Sequence, residues 1–373
     1  MFFLILFALY GLGSVYLLVR GWQSLEWMPE LRPYGMILLI LLSASFFLAR
    51  IFRDQWPDSV LRIFQDTGMF WLVPMLYLVM FALFCDVLRL ANVMTSFYPS
   101  WVMDDYPRTK FIILLSGLSL VSLVCLYGYY RFVNPSVKEI SVTLPKVPGG
   151  LDSMKMVMVS DLHLGTTTHK KRMQKYVKLI NENKPDLVCI AGDLIDSDIS
   201  SVERQSMEEE FKQIETRYGT YAVPGNHDHF SNFRQAARFF ERSGIVLLVD
   251  SVAEVASTVQ MMGRDDRGRR NRKSLARLRA ANPTGLPVIL LDHQPVDLSE
   301  AAQNGISLQL SGHTHDGQIW PFSALVRSMY EVSHGYLRKG NTHYYVSSGL
   351  ALWGPHLRIG TESELVVIRL LFR

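Results

Sequence analysis

"PDLVCIAGD", Pro185 to Asp193, places a short apolar run between a helix stopper and a carboxylate. Pro185 cannot continue a helix, and Leu187 to Ala191 is too short a run to be one. The run does not alternate with polar residues, so it reads as a strand buried on both faces, ending where Gly192 and Asp193 enter a loop. The same pattern occurs upstream in "KMVMVSD" (Lys155 to Asp161) and downstream in "GTYAVPGN", "PVILLDH", "SLQLSGH", "HYYVSSG" and "ELVVIRLL". Between these runs, His169–Asn183, Ser201–Arg217 and Phe233–Ser243 carry helical patterns. Apolar strands alternating with amphipathic helices predict an α/β domain over residues 134–373, with helices packed over buried sheets.

The 133 residues before it differ in kind. The chain has 373 residues, 49% of them hydrophobic, and the apolar excess lies at the front. Phe2–Val19, Gly68–Cys85 and Phe111–Tyr130 are apolar runs near the length of about 20 residues that a bilayer core requires, whereas Tyr34–Ala49 is shorter and extends through Ile51 and Phe52 only if Arg50 snorkels to the interface. Trp22, Trp27, Trp71 and Trp101 lie near their expected ends, as interfacial aromatics do. We therefore expect about four transmembrane helices in residues 1–133. The first run lacks a basic n-region and a small-residue cleavage site, which favours a retained helix over a cleaved signal peptide. Four helices put both ends on one side, but flanking cations barely discriminate. Arg50, Arg53, Arg62, Arg131 and Lys138 stand against Arg20, Arg32, Arg89, Arg108 and Lys110. Cys85, Cys125 and Cys189 have neither metal spacing nor the pattern of a disulfide scaffold, and a net charge of +4 gives no global pull on nucleic acid.

Polar residues fall where the strands stop. Asp161, Asp193, Asn226, His293 and His313 each follow an apolar strand, the position from which α/β sheets build ligand sites. In order, the fragments are "SDLHLG" (Asp161, His163), "AGDLID" (Asp193), "PGNHDH" (Asn226, His227, Asp228), "LDHQP" (His293) and "SGHTHDGQ" (His313, His315). Six of the ten histidines fall in them, which a set of unrelated core histidines would not produce. His313 and His315, at i and i+2, point the same way on an extended segment.

This series resembles the calcineurin-like metallophosphoesterases, whose signature is D-x-H, G-D, G-N-H-[DE], H and G-H-x-H. The match runs over about Lys155 to Gln318 and continues weakly through "YVSSGLALWGPHLRIG", which is similar to a bacterial membrane-associated branch. The resemblance implies a four-layer α/β/β/α sandwich and two divalent metal ions, drawn from Mn, Fe, Zn, Co or Ni. Asp161, His163 and His315 would hold one ion, Asn226, His293 and His313 the other, with Asp193 bridging. It also implies a metal-activated hydroxide attacking a phosphodiester or pyrophosphate, with His227 serving the leaving oxygen and Asp228 orienting His227. Gly192, Gly225 and Gly312 precede ligands, where a missing side chain lets the backbone turn tightly. Asp316 replaces a glycine common in relatives; it is expected to bond a metal-bound histidine, shape the substrate mouth, or be a plain loop residue. His229 is expected to be solvated, and His169, His334, His343 and His356 to have non-ligand roles.

Two stretches bear on substrate. "RDDRGRRNRKSLARLR", Arg264–Arg279, is either a solvated helix face or a contact for anionic headgroups. Ile319–Gly340 carries Trp320, Phe322, Leu325, Val326, Met329 and Tyr330, expected mostly to pack on the domain or, if exposed, to form an apolar lip for an acyl chain. Arg358 is either a phosphate clamp or half of an ion pair. A tethered site sees membrane-borne molecules at high effective concentration, so a lipid-linked phosphoester or pyrophosphate is the expected substrate, with membrane lipids as partners and no nucleic acid. The resemblance, whose membrane-associated members include enzymes similar to UDP-2,3-diacylglucosamine pyrophosphatase, implies UDP-2,3-diacylglucosamine as a concrete option. Two other readings stay open: a broad phosphodiesterase or phosphatase acting on soluble substrates, and a non-catalytic membrane interaction or sensor protein. The basic segment and the absence of a disulfide scaffold lead us to expect a multi-pass cell-membrane protein with its catalytic domain in the cytoplasm.

Overall fold

The apolar runs at the front form long helices in a computed structural model, which describes residues 2–52, 55–165, 168–196, 199–230 and 232–373. The chain divides into two units, Met1–Tyr129 and Tyr130–Arg373. Of the four expected spans, three among the described residues are long and apolar enough to cross a membrane: Pro29–Ile51, Ser59–Thr95 and Tyr106–Val133. The first run forms the helix Phe2–Ser24, which is not among those three and whose leading side chains are not described. Arg53 also lies outside the described residues. Within this unit Gly68 allows close helix packing, since a Cβ there would fall 2.5 Å from the Phe46 backbone nitrogen. Asp86, just past the third apolar run, is held by the Tyr16 hydroxyl at 2.6 Å, by Arg89 at 2.9 Å and by Arg20.

Among the described residues, the second unit contains twelve strands: β1 (Ser136–Leu144), β2 (Ser153–Val159), β3 (Leu187–Ile190), β4 (Thr220–Ala222), β5 (Ile245–Leu247), β6 (Ser251–Val255), β7 (Val259–Gly263), β8 (Val288–Leu291), β9 (Leu308–Ser311), β10 (Gly335–Lys339), β11 (Thr342–Val346) and β12 (Glu364–Phe372). One six-stranded sheet runs β1-β12-β2-β3-β4-β5 and the other β10-β11-β9-β8-β7-β6. β2 to β5 are parallel, as are β7, β8, β9 and β11.

Alternation along the strands assigns the layers. In β2, Val157 and Val159 face a core containing Met173, Tyr176, Val177 and Ile180 of the helix Lys170–Glu182, and Phe239 and Phe240 of the helix Phe233–Arg242. Met154, Met156 and Met158 of the same strand face Met261, Ile289, Leu291 and Leu308 of the other sheet. Beyond that sheet, Met262, Val288 and Leu290 pack on Leu275 and Leu278 of Leu275–Ala281 and on Leu298 and Ala301 of Leu298–Gln303. The result is helix, sheet, sheet, helix. Each buried aliphatic side chain contributes about 1.5–3 kcal/mol.

Two expectations are corrected. Ser201–Arg217 is not one helix but two short ones, Ile199–Arg204 and Glu208–Phe211, broken where Ser206 takes a left-handed φ of 49°. β1, β5, β6, β7 and β10 are not among the expected strands; β10 alternates half-buried with exposed residues, and fully buried β7 carries Gln260 within its apolar run.

Candidate metal centre

Parallel strands of both sheets end at one place. Asp161 follows β2, Asp193 follows β3, Asn226 follows β4, His293 follows β8 and His313 follows β9. Among the described residues, Asp161, His163 and His315 form one trio and Asp193, His293 and His313 another, with candidate ligand atoms within 4.8 Å of one another in each. The Asp193 carboxylate lies between them, 3.2 Å from His293 Nε2 and 3.9 Å from His163 Nε2. His163 Nε2 and His315 Nε2 face each other at 3.3 Å, and His315 Nε2 lies 3.6 Å from Asp161.

These residues fit divalent cations. The Asn226 side-chain oxygen is buried without a hydrogen-bond partner, and the buried His293 Nε2 faces the Asp193 carboxylate at 3.2 Å. A buried unsatisfied oxygen costs about 1–3 kcal/mol unless something satisfies it. His293 Nδ1 meets the Ala191 carbonyl at 2.8 Å, so that atom donates and Nε2 is turned to the site. Burial opposes charge on His293, yet Asp193 raises its pKa to about 10; Asp193, although buried, is held far below the usual carboxylate range by His293 and its neighbours. A cation between them would take the place of that proton. Burial and the positive charge of His293 lower His313 to about 4, and burial with neighbouring positive groups keeps His315 well below its ordinary value. Both rings therefore keep lone pairs at neutral pH. Imidazole mixed with oxygen suits transition divalent ions.

The backbone is bent to achieve this. Asp161, His163, Asp193, His313 and His315 have φ of 55°, 43°, 51°, 74° and 49°, the left-handed region that residues with a Cβ avoid. Each such turn costs about 1–3 kcal/mol and persists because surrounding packing holds it. The three glycines matter through space. A Cβ at Gly192 would strike the His293 ring, one at Gly225 the Asp193 carboxylate, and one at Gly312 the Asp161 carboxylate.

His227 sits at the mouth, and its backbone N–H donates to Asp193 at 2.8 Å. The carboxylate on its Nδ1 is that of Asp196, at 2.9 Å, not that of Asp228 as expected. Asp228 instead accepts from the backbone N–H groups of Ile195, Gly225 and Leu194 at 2.8, 2.8 and 3.3 Å, bracing the two ligand loops against each other. Asp196 also lies 3.7 Å from His163 Nδ1. It was overlooked in the sequence although it ends the fragment "AGDLID", three residues after Asp193. Burial disfavours protonation of His227, but its hydrogen bond to Asp196 and the charges of Asp193 and Asp196 raise its pKa.

Neighbouring expectations change too. Arg358 is neither clamp nor ion pair: fully buried, it donates to the carbonyls of His315 and Ala351 at 2.7 Å and of Ser348 at 2.6 Å, fixing the loop that carries His315. Asp316 is a buried anchor, accepting from Arg327 at 3.0 and 2.6 Å and from Ser333 at 3.3 Å. His229 is not solvated; its Nε2 meets Asp265 at 2.7 Å and its ring stacks on Phe233. The basic segment is not a solvated helix throughout. Arg264 is buried on Glu300 at 2.7 Å, and Arg272 meets Asp292, whose buried carboxylate beside His293 requires counter-charge. Arg267, Arg269 and Arg270 remain exposed. Trp320, Phe322, Leu325 and Met329 are exposed as well, rather than packed on the domain.

The family model for calcineurin-like phosphoesterases matches residues 154–317. An uncharacterized metallophosphoesterase of Campylobacter jejuni is 28% identical over 99% of this chain and 98% of its own. One of Helicobacter pylori (strain ATCC 700392 / 26695) is 32% identical over 72% of this chain and 74% of its own. A Danio rerio transmembrane protein with metallophosphoesterase domain is 33% identical over 68% of this chain and 61% of its own. With the strand-end acids and imidazoles gathered at one point, this protein belongs to the calcineurin-like metallophosphoesterases and is a phosphoester hydrolase.

Proposed function

We propose that this is a membrane-anchored, dinuclear phosphoesterase acting on a lipid-linked phosphodiester or pyrophosphate, with UDP-2,3-diacylglucosamine as a concrete candidate. Asp161, His163 and His315 would hold one cation, Asn226, His293 and His313 the other, and Asp193 both. The position of Asp193 between the two trios carries this reading. When bound, the pair of cations supplies Lewis acidity at the phosphoryl oxygens and lowers the pKa of a water. The chain's own groups do the rest. The His227 backbone N–H fixes the shared carboxylate, so the loop that holds Asp193 also places the imidazole. With Nδ1 donated to Asp196, His227 keeps Nε2 for the substrate. A ring whose pKa is raised carries the proton that the leaving oxygen needs. Arg358 holds the His315 carbonyl, and Asp228 keeps the two loops in register.

Three candidate spans and a transmembrane relative support membrane association. The exposed arginines support the cytoplasmic side, where leaflets are anionic. The purified full chain, assayed with UDP-2,3-diacylglucosamine and with aryl phosphodiesters, is expected to turn over the lipid precursor; turnover of the aryl esters alone removes the lipid-linked reading. Elemental analysis of active, unchelated protein is expected to find two transition ions per chain, and finding none removes the dinuclear one.

A further inference from the structure

Around His227 and on the segments that adjoin it, the domain exposes large apolar side chains that form a rim. Phe230 and Trp353 flank the imidazole, with ring centroids 5.1 and 6.0 Å away, and are themselves 69% and 54% exposed. The rim continues through Gln318, whose side-chain amide donates to the Pro355 carbonyl at 2.9 Å, to Trp320, whose backbone N–H donates to the Ile359 carbonyl at 2.8 Å. The helix Phe322–Met329 follows. Phe322, Leu325 and Met329, at i, i+3 and i+7, share one face, and all three are exposed, Met329 by 68%. The Arg327–Asp316 ion pair ties this helix to the metal loop. An exposed patch of this kind marks an interaction site.

Three observations select a bilayer as its occupant. The chain carries its own candidate spans, and Phe132, in the last turn of the helix Tyr106–Val133, is fully buried within the catalytic unit, stacked on His356 at 5.5 Å. His356 lies three residues after Trp353, in the loop that carries one end of the exposed aromatics. The tryptophans of the rim favour the headgroup boundary, and phenylalanine and leucine make the apolar face of interfacial helices. The same domain also exposes a basic segment, Arg267, Arg269 and Arg270, of which Arg267 lies 3.9 Å from Asp297. A domain that exposes both an apolar helix face and arginines suits an anionic interface.

We propose that this rim docks on an anionic membrane surface and holds the mouth of the metal site at headgroup level, so that a lipid-borne phosphoester reaches it without leaving the bilayer. The purpose of this docking rests on the lipid-linked reading above; the docking itself can be tested without turnover. The full chain carrying Cys85→Ser and Leu325→Cys, labelled at position 325 with an environment-sensitive fluorophore, is placed in nanodiscs of phosphatidylserine-containing lipid. Cys125 and Cys189 are buried, and Leu325 is exposed, so the label reports the rim and leaves the core undisturbed. Lipids brominated on their acyl chains are expected to quench the label about two-fold relative to unbrominated ones. Reversing Arg267, Arg269 and Arg270 to Glu is expected to weaken docking about five-fold per charge and to reduce the quenching. Equal emission in both kinds of disc overturns the proposal. So does a shielded label, insensitive to bromine, in discs holding two copies of the chain, since the rim would then be a self-association surface. If only aryl esters are hydrolysed but the label is quenched, docking stands and the lipid substrate falls.

Discussion

Asp196→Asn is the sharpest probe of the site. Asp196 accepts from His227 Nδ1 at 2.9 Å with a largely buried carboxylate, so the hydrogen bond is charge-assisted and little screened. Such bonds contribute about 1.5–3 kcal/mol, against about 0.5–1.5 for a neutral one. Asparagine keeps an acceptor of the same shape but loses the charge, a difference of about 1–1.5 kcal/mol, or about ten-fold in rate. If its amide flips and offers N–H groups instead, the ring takes the wrong tautomer and the loss approaches 100-fold, on the order seen for partners that orient a reacting histidine. The loss should depend on the leaving group. An alkyl leaving group needs the His227 proton and should lose about 10- to 100-fold in kcat, whereas p-nitrophenolate leaves without it and should change less than about three-fold. The assay compares both esters at saturating metal. Because Asp196 also lies 3.7 Å from His163, metal content must match the parent protein. An equal fall with both esters at unchanged metal content, or no fall with either, would refute the role given to this pair.

Two other outcomes test the frame around the site. Gly225→Ala places a methyl 2.5 Å from the Asp193 backbone nitrogen, which cannot swing aside, and 2.8 Å from its Cγ, which must shift. It should cost about 1–3 kcal/mol of stability, read as a lower Tm. It should also cost about 100-fold or more in kcat, because the shared carboxylate moves by about 1 Å; near-parental values of both would show that the loops are loose. His334 meets buried Glu364 at 3.0 Å. Burial lowers the His334 pKa, but the hydrogen bond and charge of Glu364, helped by Asp316 and Glu362, raise it overall. Its contribution is therefore fully present below the unfolded-state value of about 6.5 and is lost as pH rises through the higher folded value. The Tm gap between the parent and His334→Gln should narrow from pH 6 to pH 9, and a constant gap would mean that the pair carries no charge.

Much of this was legible in one dimension because the relevant physics is local. A run such as Leu187–Ile190 reads as a doubly buried strand from its own composition, and long apolar helices read likewise. Carboxylates and imidazoles at the strand ends were visible because α/β sheets put ligands there. Residues whose partners are distant in sequence were not legible. Asp196 meets His227 across 31 residues, and Arg358 meets the His315 carbonyl across 43. Nothing near Arg358 in the chain says that a guanidinium will end among carbonyls instead of on a phosphate. β1 pairs with β12 along its whole length, although the chain between them contains nearly the entire domain.

The sequence by itself determined seven of the strands, the long apolar helices and the chemical types at the strand ends, because hydrophobic period and turn chemistry act over a few residues. Only the tertiary structure decided which acid orients which imidazole, which arginines are spent on buried carboxylates, and which aromatics stay in the open. Those outcomes depend on burial and on left-handed turns at Asp161, Asp193 and His315 that no local preference favours. They exist because two packed sheets hold the strand ends together.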